Sequence, residues 1–161
     1  MSFTPRHVLY GVLGLALVAS ACLLYAKYAI APVSYTTEPQ EKQATSTPLS
    51  NIEIVSEPAV MERGLGGRAN VPAGYGMLFV FPEAEKYGFW MKDMLVPIDI
   101  VWLSDTKQIV KIDANVATST YPDSFYPPMP VRYVLETKAG YAKEQGWEKG
   151  TDLSEPLRSA K

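Results

Sequence analysis

Gly76-Met77-Leu78-Phe79-Val80-Phe81-Pro82, then, after a charged break, Gly88-Phe89-Trp90-Met91-Lys92-Asp93-Met94-Leu95-Val96-Pro97-Ile98-Asp99-Ile100-Val101-Trp102-Leu103: this stretch decides the fold. In an extended strand, Met77, Phe79 and Phe81 point to one side and Leu78 and Val80 to the other. Both sides are apolar, so both must be covered, and the segment reads as an inner strand. Ile98, Ile100 and Trp102 alternate with Asp99, Val101 and Leu103 in a second extended run that carries one anomalous charge.

Working outward, residues 105–108 form a turn, and 109–117 return as a strand, which predicts a hairpin. Val131, Tyr133 and Leu135 alternate with Arg132, Val134 and Glu136 in a last long strand, followed by a short helix or turn over 139–145 and a closing segment to Leu153. Ahead of the decisive stretch, Ile52-Glu53-Ile54-Val55 is β-prone. Ser56, Glu57 and Pro58 resemble a helix start, with Ser56 as N-cap, and the brief helix over 59–63 ends at Gly64. The Gly64-Leu65-Gly66-Gly67 cluster lacks the preceding strand and the Lys-Ser/Thr of a phosphate loop, so it reads as a flexible turn. Residues 82–87 read as a polar connection. The loop 118–130, with Pro122, Pro127, Pro128 and Pro130, is expected to stay out of any ladder. Its Tyr121, Phe125 and Tyr126 either cover the sheet or offer a docking face for a peptide or sugar ring. The fold class is therefore mainly β: one compact sandwich or barrel-like domain with one or two short helices.

The N-terminal part is of a different kind. Arg6 and His7 precede residues 8–26, an uncharged run long enough to cross a bilayer as a helix, with Lys27 beyond. The positive flank on the short leading side favours keeping that end in the cytoplasm. The expected topology is a single-pass transmembrane anchor within 1–30, carrying an extracytoplasmic domain. Two cleavage readings stand beside it. Ala19-Ser20-Ala21 fits a signal-peptidase pattern, and Cys22 resembles a lipoprotein site, so a secreted or lipidated form stays open. Residues 31–50 are rich in Thr, Ser, Gln, Glu and Pro and read as a flexible linker. The domain is assigned to 51–153 and a frayed tail to 154–161.

Composition excludes several chemistries. In this 161-residue chain of formal net charge -2, Lys and Arg are scattered among acids, so no basic stripe points to nucleic acid as a partner. The single His is His7 and the single Cys is Cys22, both outside the domain. The domain therefore has no Cys/His zinc site, no Ser-His-Asp or Cys-His arrangement and no internal disulfide. The sequence points to no cofactor and assigns no catalytic residue.

Four charged residues stand in apolar surroundings: Arg68, Lys92, Asp99 and Glu136. Burying a charge is costly unless it is paired, so one expectation is an internal network of Arg68 or Lys92 against Asp99 or Glu136. The other is a ligand-binding cleft, where Arg68, Lys92, Asp99 and Glu136 face a floor of Met77, Phe79, Trp90 and Met91 and hold a small ligand, a glycan or an envelope protein. In an alternative reading, Asp99 and Glu136 are the acid and base of a hydrolase acting on a glycan.

The motifs Gly76-Met77-Leu78-Phe79-Val80-Phe81, Phe89-Trp90-Met91-Lys92, Pro97-Ile98-Asp99-Ile100, Val134-Leu135-Glu136 and Ala139-Gly140 together resemble the DUF192 family, a domain of unknown function. Gly64-Leu65 and Arg68 stand where that family has its Gly-Leu and Arg. The resemblance covers roughly 52–153. It implies a compact, mainly β fold, often behind a signal or anchor, and brings no established activity. Asp93-Met94 departs from the family's usual Asn-Thr, and Gly150-Thr151 from its Gly-Asp.

Overall fold

The computed structural model describes residues 47–159. Five strands form one sheet in the order β1-β2-β7-β4-β5: β1 (Asn51–Val55), β2 (Tyr75–Glu85), β7 (Val131–Lys138), β4 (Ile98–Leu103) and β5 (Ile109–Val116). β1 runs parallel to β2, and all other neighbours are antiparallel. A two-stranded ribbon pairs β3 (Phe89–Trp90) with β6 (Ser124–Phe125). The helices are α1 (Pro58–Arg63) and α2 (Tyr141–Glu144).

The inner strand is where the alternation puts it: β2 lies between β1 and β7, and both of its faces are buried. On one face Met77, Phe79, Ile98, Ile100, Trp102 and Val134 pack under Leu65, Phe89, Met91 and Met94. On the other, Leu78, Val101, Leu103 and Leu135 pack against Tyr141, Ala142, Leu153 and Leu157. Each such fully buried side chain contributes roughly 1.5–3 kcal/mol relative to exposure, so this two-sided burial is the main support of the sheet. Trp102 is wholly buried, and its indole N–H donates to Asp113 Oδ2 at 2.7 Å.

The expected sandwich or barrel closure is replaced by an open sheet. β1 and β5 stand at its two ends and do not meet, and the second sheet is too small to be a facing layer. The β5 edge is partly covered by the chain end. Gly150 N–H donates to the Ile109 carbonyl, Ile109 N–H to the Thr151 carbonyl and Leu153 N–H to the Lys107 carbonyl. Within the stretch expected to fray, residues 154–159 are described: they carry a 3₁₀ turn at Pro156–Ser159, and Leu157 is buried.

Three local expectations are also corrected. The residue capping α1 is Glu57, in extended conformation and without a side-chain cap, not Ser56. Residues 82–85 belong to β2: the ladder with β7 is interrupted between Val80 and Glu85, and Pro82 sits in that irregular stretch, where its missing N–H costs no regular pair. The proline-rich loop does join a ladder, through Ser124 and Phe125, because a two-residue pairing fits between Pro122 and Pro127. The apolar run 8–26 lies outside the described residues. Among the described residues no helix is long and apolar enough to cross a membrane.

Candidate functional site

On the face of the sheet covered by α1 and the ribbon, β7 brings Glu136 opposite Met77 of β2 and Ile100 of β4. Above it, α1 ends at Gly64, with φ 53° and ψ −131°. A Cβ there would lie 3.2 Å from Glu136 Oε2 and 3.5 Å from Phe79 Cζ. Glycine is what lets the backbone pass so close to the carboxyl group. The next residue, Leu65, is fully buried and pins the loop to the core, and its amide N–H is hydrogen-bonded to the Glu136 carboxyl.

Aromatic rings fix the walls. Phe79 and Phe89 meet edge to face at 4.8 Å, and Phe89 meets Trp102 at 5.3 Å, so Phe89 is held from two sides. Phe81 and Tyr87 stack with centroids 3.6 Å apart. Together with Met61, Trp90 and Met94 they enclose a cleft of about 220 Å³, with Glu136 at its floor and Glu62, Arg63 and Lys92 at its mouth.

Glu136 is the chemically distinctive group. It is only 4 % exposed, and its Oε2 has no hydrogen-bond partner. Burial pushes its pKa up to about 8, opposed by the Leu65 amide and the charge of Arg68. At neutral pH it is therefore mostly a carboxylic acid, able to donate one hydrogen bond into an apolar space.

Of the eight residues singled out by sequence, Phe79, Trp90, Lys92 and Glu136 line this cleft. Met77 and Met91 are buried in the core beneath it and do not reach its surface. Arg68 turns away to Glu53 Oε2 at 2.8 Å and to the Tyr75 hydroxyl at 2.9 Å. Tyr75 also donates to Glu53, which lowers that carboxyl's pKa.

Asp99 is on the opposite face of the sheet, fully buried. Its Oδ1 accepts from the amides of Asn115 (2.8 Å) and Gly140 (2.9 Å), and its Oδ2 from that of Ala142 (2.9 Å). The expected network of Arg68 or Lys92 against Asp99 or Glu136 is thus not the one formed: Asp99 is held by backbone amides and Arg68 by Glu53. Nor can Asp99 and Glu136 flank one glycosidic bond from opposite sides of a sheet, which removes the two-carboxylate hydrolase.

Sequence reading missed Glu53 and Tyr75 as the partners of Arg68, and Met61, Phe81, Tyr87 and Met94 as walls. Phe81 was accessible, since it shares the face of Phe79 by alternation. Tyr87 and Met94 are brought in by loops whose course no periodicity fixes, and Met61, Glu53 and Tyr75 by the packing of α1, β1 and β2, which no local pattern gives. In the proline-rich loop, Phe125 packs on the core, while Tyr121 and Tyr126 are about half exposed. Among the described residues no group of three or more acidic, His or Cys side chains could hold a metal ion.

The sequence model of the DUF192 family, described as "Uncharacterized ACR", matches residues 39–154. Two crystal structures are similar in fold. One, from Sinorhizobium meliloti, is described as a "putative transcription regulator"; it shares 31% identity over 62% of this chain and 76% of its own, with a TM-score of 0.59. The other, from Novosphingobium aromaticivorans, is described as a protein of unknown function; it shares 25% identity over 62% of this chain and 70% of its own, with a TM-score of 0.57. No curated protein matches the chain.

Proposed function

Because the chain belongs to the DUF192 family, which brings no activity with it, we propose on geometric grounds a non-catalytic binding module whose cleft over Glu136 holds a small molecule. One observation carries this reading. The buried carboxyl group of Glu136, one oxygen of which has no partner in the protein, belongs to the lining of a space walled by rings and methionines, and an unmet polar group of that kind costs roughly 1–3 kcal/mol unless something arrives to satisfy it. Few, well-placed polar groups in an apolar concavity are the usual make-up of a ligand site.

The module is carried outside the cytoplasm on a membrane tether. Support comes from the order of segments: Arg6, the uncharged run 8–26, then the polar, proline-spaced 31–50. The description of the S. meliloti relative is not transferred, since a net charge of -2 without a basic stripe offers no footprint for a phosphate backbone.

The test of the cleft is a small-molecule screen on the full chain by ligand-detected NMR, comparing wild type with Trp90→Ala. Trp90 is 41% exposed, so its loss leaves the core intact while removing one wall. Ligands retained by wild type and lost by the variant are the expected result, and a screen in which nothing is retained would end this reading. For the tether, a reporter fused after Lys161 should be active only outside the cytoplasm; activity inside would reverse the topology.

A further inference from the structure

The cleft's chemistry narrows the ligand class, and the narrowing rests on the binding reading above. We infer that the occupant is a small, planar, uncharged ring compound that presents a hydrogen-bond acceptor, such as a carbonyl or ring nitrogen, to the Glu136 carboxyl group.

Size comes first. A dry cavity of about 150 Å³ suffices for benzene, so the 220 Å³ here fits a single ring with one small substituent. Shape comes next. The stacked Phe81–Tyr87 pair and the half-exposed Trp90 present flat aromatic surfaces, and rings prefer offset-stacked or edge-to-face neighbours. Met61 and Met94 supply adaptable, unbranched filling.

Charge separates two readings of the polar group. An aromatic pocket with an ionised carboxylate would suit an organic cation. Against that, the mouth carries Arg63 and Lys92 with Glu62, and Asp93 joins the same three residues in the adjoining depression; neither cation is ion-paired among the described residues. Arg68, from the loop after α1, is the charge that acts on Glu136, and Arg63 and Glu62 from α1, Lys92 beyond β3 and Tyr87, whose own pKa is raised by burial, share the cleft lining with it. The flanking β2 and β4 residues, Met77 and Ile100, are apolar. A positively charged ligand would enter past a rim that carries two unpaired cations and no net negative charge to draw it in. With the Leu65 amide as the donor to the carboxyl and Oε2 without a protein partner, the protonated group has a hydrogen to give and no protein acceptor for it.

The test titrates the full chain with three ring probes of similar size: benzamide (neutral acceptor), N-methylpyridinium (permanent cation) and toluene (no polar group). Benzamide should bind more tightly than either of the others. Its affinity should fall about tenfold between about pH 6.5 and about pH 9, as Glu136 ionises. Glu136→Gln, which keeps volume and an N–H donor, should retain benzamide and lose the pH dependence. Preference for N-methylpyridinium, with affinity rising with pH, would overturn the inference while leaving the cleft a binding site. Equal binding of benzamide and toluene would overturn it in favour of a buried water on Oε2. Absence of benzamide binding overturns it as well, and the wider screen against Trp90→Ala then decides separately whether the cleft binds anything.

Discussion

Asp99 and Glu136 sit one register step apart on neighbouring strands, Asp99 opposite Thr137 and Ile100 opposite Glu136, and therefore point to opposite sides of the sheet. Their surroundings differ as much as their directions. Asp99 receives three backbone N–H groups, whereas Glu136 has one amide and an oxygen without a partner in the protein. One carboxylate organises the chain and the other is left available.

Asp99→Ala leaves the amides of Asn115, Gly140 and Ala142 without their acceptor at a buried position. The expected cost is about 3–5 kcal/mol. Urea unfolding should show a lower midpoint with an unchanged slope, and benzamide binding measured well below the new midpoint should be unaffected, since the cleft is on the other face.

Glu136 makes stability depend on pH in the direction opposite to most carboxylates. Between the ordinary glutamate value of 4.5 and about 8 the unfolded chain has released a proton that the folded chain keeps. Stability should therefore fall as pH rises through that window, by up to about 1.4 kcal/mol per pH unit, and level off above it. Glu53, whose pKa is lowered by Tyr75 and Arg68, acts only below the ordinary glutamate value, where its contribution is lost as pH falls. Glu136→Gln should flatten the slope in urea unfolding across this range; an unchanged slope would place the titrating group elsewhere.

Gly64→Ala meets two penalties: a left-handed φ of +53° and a new methyl 3.2 Å from Glu136 Oε2. A loss of about 2 kcal/mol is expected, readable as a lower thermal midpoint. The same methyl narrows the approach to the carboxyl, so ligand affinity should drop even where the variant is fully folded.

Arg68→Met should cost no more than about 1 kcal/mol, because the Arg68–Glu53 pair is some 40% exposed on both sides. Its clearer signature is indirect. Removing that charge takes away one of the influences lowering the Glu136 pKa, so the pH at which stability levels off should move upward.

Much of this architecture could be read from alternation alone. Met77, Phe79 and Leu78 announced a strand buried on both faces, and Asp105 to Gln108 between two extended runs announced the β4–β5 hairpin. The sequence does not encode register in any local pattern. Asp99 and Glu136 both read as charges in apolar strands, and only the pairing of Ile100 with Glu136 sends them to different faces. Closure was illegible for a related reason: whether a sheet curls shut depends on its two edges meeting, and β1 pairs parallel with β2 through a crossover that no turn motif marks. Phe79, Trp90, Lys92 and Glu136 of the cleft lining stood out in the sequence, but Met61 comes from a helix whose docking face no local pattern gives, and Tyr87 from a connection with no periodicity to follow.

The Thr47 carbonyl accepts hydrogen bonds from the Tyr141 hydroxyl at 2.8 Å and from Gln145 Nε2 at 3.0 Å, and Leu49 is buried in the core of that face. The end of the polar spacer is thereby stitched to α2, ahead of the assumed domain start at Asn51. A protease that liberates an intact globular part must cut upstream of Thr47. Scission between Thr47 and Asn51 would unseat Leu49, strip two donors of their acceptor and shed a product that melts sooner than its parent.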